Sequence, residues 1–69
     1  MTDEDHNVLR AMEAYGGGFA SALAEAAFRA DASNFARLKA AFPDYWAEYA
    51  WVAVRARLRA EAQGRGGRG

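Results

Sequence analysis

Cysteine is absent from the 69 residues, and histidine (His6) and proline (Pro43) occur once each. Without cysteine there is no disulfide staple and no thiolate metal site. A zinc site on one histidine would need carboxylates to complete it, and the acids here stand at no metal-binding spacing. No metal and no cofactor is expected. Long apolar runs are lacking as well, and nothing approaches the ~20 residues of a membrane-spanning helix. The opening stretch Met1-Thr2-Asp3-Glu4-Asp5-His6 is acidic, where a secretory leader is basic and then apolar. The expected location is cytoplasmic, with no membrane partner.

Net charge is lacking too, since nine acids balance nine bases. That argues against a strongly basic nucleic-acid-binding domain. No catalytic set is visible either. His6 sits among Asp3, Glu4, Asp5 and Arg10 in a terminal turn, and Ser21 and Ser33 have no base nearby in sequence. A domain this short also leaves little room for a ligand pocket of the usual size. No catalytic residue is assigned, and the expectation is a protein that is not an enzyme.

What is present is alanine and aromatic rings. Eighteen alanines inflate the 52% hydrophobic share, and seventeen larger apolar residues after Met1 must make the core. The length allows one domain, residues 1–63, marginal alone and prone to gain stability by oligomerising or binding. The balanced charge is unevenly placed. Asp3, Glu4, Asp5 and Glu13 oppose only Arg10 near the start, while Arg55, Arg57, Arg59, Arg65 and Arg68 oppose only Glu61 near the end. Such an end-to-end dipole favours a partner of mixed charge or head-to-tail contact.

Periodicity and breakers predict an all-α, compact bundle of about four helices. Thr2 with Asp5 resembles a capping box, and Val8, Leu9, Met12 and Tyr15 follow as one apolar stripe, giving a first helix over about 3–15. Gly16-Gly17-Gly18 stops it, with a left-handed glycine cap the expected geometry. A phosphate cradle is the poorer reading of the glycines, which lack a preceding strand, spacing and a lysine. A second helix over about 19–30 places Phe19, Leu23, Ala26 and Ala30 on one face and Phe28 on the opposite one. Asp31 caps a third helix over about 32–41 carrying Phe35 and Leu38, with Phe42 just beyond, while Arg37 and Lys39 point to water.

The chain is organised around Ala41-Phe42-Pro43-Asp44-Tyr45-Trp46-Ala47-Glu48-Tyr49-Ala50-Trp51, which holds the proline and both tryptophans. Pro43, with no N–H and a fixed φ, suits the first turn of a fourth helix, over about 43–63. That helix carries two apolar faces. Tyr45, Trp46, Tyr49, Val52, Ala53, Ala56 and Ala60 form the broad one, expected to pack on the other helices. Trp51, Val54 and Leu58, flanked by Arg55 and Arg59, form a second, to be covered by the chain itself or by another molecule. The Gly/Arg tail, residues 64–69, is expected to be disordered. It is similar to RGG segments of RNA-binding proteins, which makes Arg65 and Arg68 candidate sites for weak nucleic-acid binding.

Tyr15-Gly16-Gly17-Gly18-Phe19, Ala22-Leu23-Ala24-Glu25, Arg29-Ala30-Asp31, Asn34 and Ala41-Phe42-Pro43-Asp44-Tyr45-Trp46 with Tyr49 together resemble a group of small helical proteins encoded by phages and prophages. The resemblance spans Tyr15 to Tyr49, with Gly18 where serine is usual and Ala32 where proline often follows the aspartate. It implies origin in a mobile element, in a host cytoplasm. Small phage proteins without an active site commonly bind a host machine, and anti-CRISPR proteins are such a class. The resemblance implies an inhibitor binding a host protein complex, a CRISPR–Cas effector foremost. The expected contacts are Trp51, Val54, Leu58, Arg55 and Arg59, with Phe28 joining. The alternatives are a homo-oligomeric phage accessory or structural protein that buries the same face against a copy, and an accessory factor binding nucleic acid weakly through the tail.

Overall fold

The computed structural model describes the backbone of residues 1–68 and the side chains of residues 1–63. Over that span the chain forms four helices and no strand: α1 (Asp3–Tyr15), α2 (Gly18–Arg29), α3 (Ala32–Ala41) and α4 (Pro43–Arg68). The all-α class expected from the periodicity is what the structure contains. The end of α4, expected near Gln63, is carried to Arg68. The expectation of a disordered tail over 64–69, and with it Arg65 and Arg68 as nucleic-acid contacts, falls on side chains outside the described residues.

Local chemistry accounts for the helix ends. The Thr2 hydroxyl accepts the Asp5 N–H at 3.0 Å, and the Asp5 carboxylate accepts the Thr2 N–H at 3.3 Å, closing the capping box. Asp3, Glu4 and Asp5 also place negative charge at the positive end of the α1 dipole. Asp31 caps α3 by accepting the Asn34 N–H at 2.8 Å. Pro43 opens α4 without orphaning a donor.

Gly16 corrects one expectation. Its φ of −83° and ψ of 162° are extended rather than left-handed, and its N–H donates to the Met12 carbonyl at 2.9 Å. Glycine is needed there for space. A Cβ would stand 2.5 Å from that of Ala20, 2.6 Å from the Met12 oxygen and 3.1 Å from the Tyr49 hydroxyl. The turn is tight because α1, α2 and α4 converge on it.

Helix α1 is the centre of the bundle, packed on α2 along one side and α4 along another, with α3 closing the end more lightly. Val8, Leu9 and Met12 are its fully buried large side chains. Tyr15, expected to extend that stripe, is instead 63% exposed, at the last residue of α1.

The buried face of α2 is Ala20, Leu23, Ala24 and Ala27, one register away from the face expected through Phe19, Ala26 and Ala30. Three alanines on that face let the α2 backbone approach α1, and bulky rings could not occupy the contact. Phe19 is displaced outward, where it meets Phe42 at 5.6 Å and Tyr45 at 5.5 Å between centroids. Trp46 and Tyr49 are the buried anchors of α4, and the Trp46 ring meets Phe35 of α3 edge-on at 5.7 Å.

Asp5 is the polar centre of this core. Its carboxylate is buried, and one oxygen accepts both the Lys39 ammonium at 2.9 Å and the Trp46 indole N–H at 3.3 Å. The same side chain therefore caps α1 and ties it to α3 and α4. Lys39, expected to point to water, spans the gap with half its side chain covered. Burial alone would raise the Asp5 carboxyl, but the hydrogen bonds from Lys39, Thr2 and Trp46 outweigh it and hold the group below an aspartate's ordinary range.

Candidate interaction surface

The core-facing side of α4 fades along its length. Trp46 and Tyr49 are buried, Val52, Ala53 and Ala56 are half-buried, and Ala60 is exposed, although its position in the repeat matches theirs. From Arg57 to Gln63 every residue is exposed, so this half of α4 stands clear of the other helices. Its apolar residues are left without a cover.

The second apolar face of α4 lies on this helix as the 3.6-residue repeat required. Trp51 is 62% exposed and Leu58 57% exposed, with Val54 half-buried between them. Their own chain leaves Trp51 and Leu58 mostly uncovered. Arg55 and Arg59 are exposed on the edge of the same stripe. Phe28 does not join it. That ring is half-buried against the core and edge-on to His6 of α1 at 5.2 Å, so its area is spent inside the bundle.

Val54 also belongs to a feature that the periodicity of the chain does not announce. An open groove of about 650 Å³ runs between α1 and α4. Val8, Ala11 and Ala14 of α1 line it with Ala50, Ala53, Val54 and Ala56 of α4. Asp3 and Glu4 line it from the start of α1, Tyr15 from the end of α1, and Arg10 and Arg57 from within the two helices. Groove and stripe are thus one continuous surface, sharing Val54. The available signal was the small-residue spacing on both helices, Ala11 with Ala14 and Ala50 with Ala53, which makes a shallow channel where two helices cross.

The chemistry of this surface is that of recognition. Its floor is apolar, its rim carries both signs of charge, and its two large anchors are a tryptophan and a leucine. Among the described residues no three of His, Asp and Glu stand together as a metal group, and no helix is long and apolar enough to cross a membrane. A search of family models, of curated proteins and of solved structures finds nothing that matches the chain.

Proposed function

We propose that this protein acts by occupancy: it binds a host protein complex through the outward face of α4 and blocks it without chemistry. The observation that carries the reading is the exposure of Trp51 and Leu58 on the outward face of α4, beside Arg55 and Arg59. Tryptophan and arginine are over-represented among residues that dominate binding energy. Each apolar anchor contributes on the order of 1.5–3 kcal/mol when fully buried, before the costs of association. The resemblance to small phage-encoded helical proteins directs the choice of target to a CRISPR–Cas effector, in the manner of anti-CRISPR proteins.

The test is CRISPR interference in cells expressing the wild type, Trp51→Asp, or the pair Arg55→Glu and Arg59→Glu, with circular dichroism of each protein. Inhibition by the wild type that saturates near one copy or one dimer per effector, and is lost in both variants at full helicity, is the expected result. Uninhibited interference across the effector types, with abundant wild-type protein, would remove the CRISPR assignment. Inhibition at far below stoichiometric amounts would remove occupancy altogether.

A further inference from the structure

We infer that the α1–α4 groove is the seat for the α4 stripe of a second copy, so that two chains pair about a two-fold axis. The inference does not depend on the target proposed above: the same face would be covered by a copy in the free protein and exchanged for a target on binding.

Three observations carry it. The first is continuity. In an isologous dimer one patch must contact itself, residue i meeting j and j meeting i. Here the projecting element (Trp51 and Leu58) and the receiving element (the alanine-floored groove) lie side by side and share Val54. A two-fold axis near Val54 therefore puts each stripe into the other groove, which a lone stripe or a lone groove could not do.

The second is charge. The groove carries Asp3 and Glu4 at the start of α1, with Arg10 and Arg57 further along it. The stripe carries Arg55 and Arg59 along its edge, so the acidic end of the groove is the seat for the partner's arginines. Seating one in the other sets acids against arginines twice, once in each direction. An unrelated apolar partner would leave both sets unanswered. None of these four groups is engaged in an ion pair within its own chain among the described residues, where the pairs are Arg29 with Glu25 and Lys39 with Asp5.

The third is area. A standard interface takes about 800 Å² from each partner, roughly a sixth of the 4910 Å² that this chain exposes. An interface of that size has to take in Trp51, Leu58, the Arg55 and Arg59 edge and the length of the groove together, all of which lie on one side of the molecule. The floor suits a helix, because alanines at Ala11, Ala14, Ala50 and Ala53 allow close backbone approach.

Sedimentation equilibrium of the full chain, with no target present, tests the pairing. The wild type is expected at twice its 7.5 kDa at tens of micromolar, and Leu58→Asp at the single-chain mass with the same circular dichroism. A charge exchange then tests the geometry. Asp3→Lys with Glu4→Lys places lysines against the partner's arginines, and Arg55→Glu with Arg59→Glu places glutamates against the partner's acids. Each double variant alone is expected to self-associate at least about tenfold more weakly than the wild type, while their equimolar mixture, complementary in both directions, recovers most of the loss. A wild type that stays a single chain at hundreds of micromolar would overturn the pairing. So would a dimer that survives Leu58→Asp, or a mixture no tighter than its two components. If the dimer fails while target inhibition persists, the inference falls and the proposed function stands. If the dimer forms and no target is inhibited, the pairing stands and the proposed function falls.

Discussion

Asp5 shows how one side chain can serve helix start, core and charge balance together. Its carboxylate satisfies the Thr2 N–H, the Trp46 indole and the Lys39 ammonium. The Lys39 contact joins a half-exposed ammonium to a buried carboxylate, and it leads the bonds that hold the Asp5 carboxyl below its ordinary range. The bond to the buried Trp46 N–H adds to it, since removing its acceptor strands a donor. Asp5→Ala is therefore expected to cost about 1–3 kcal/mol in urea unfolding. The sign of the pH effect follows from the lowered pKa. The unfolded chain, with Asp5 near its ordinary value of about 4, takes up a proton before the folded chain does. The stabilisation is present above about pH 4 and is lost as pH falls through the folded value. Asp5→Asn should flatten that part of the acid limb of Tm against pH; an unchanged limb would show that the carboxylate charge does not stabilise the fold.

At the scale of the helix, α4 has a core-facing side and an outward side, and the two tryptophans report on them separately. Trp46 is buried against Phe35 and bonded to Asp5, so Trp46→Ala should lose about 3–5 kcal/mol. Trp51 touches little of its own chain, and Trp51→Asp should leave the unfolding free energy of the isolated chain within about 0.5 kcal/mol. Equal losses at the two positions would refute the division. This contrast was legible in the sequence, because two residues on opposite faces of one helix are separated by its 3.6-residue period alone. The bounds of α1 and α3 were legible for a similar reason, their caps lying within three residues of the groups they serve. The face of α2 was not. Choosing between Ala24 and Phe19 as the inward residue depends on how closely α1 approaches, which is a property of the pair and not of either helix. The Lys39 to Asp5 contact, 34 residues apart, and the α1–α4 groove are likewise products of assembly that no local pattern encodes.

The molecule as a whole has a thin core. Among the described residues eleven apolar side chains are buried, four of them alanine, and only Leu9, Met12 and Val8 are large and fully enclosed. A chain of this length buries only about 60% of the surface it exposes when unfolded, so any partner that binds the folded state alone is a substantial share of its stability. If that partner is a second copy, melting must depend on protein concentration. Each tenfold rise in concentration stabilises a dimer by about 1.4 kcal/mol, or about 0.7 per chain. With about 4–8 °C of Tm per kcal/mol for a domain of this size, the wild type should melt several degrees higher per tenfold concentration. Leu58→Asp should melt at one temperature throughout, close to the wild type at the dilute end, because its side chain is mostly exposed in the monomer. Differential scanning calorimetry over about a hundredfold range of concentration separates the cases. A wild-type Tm that does not move would mean that the thin core suffices alone and that the exposed face of α4 is kept for a different molecule.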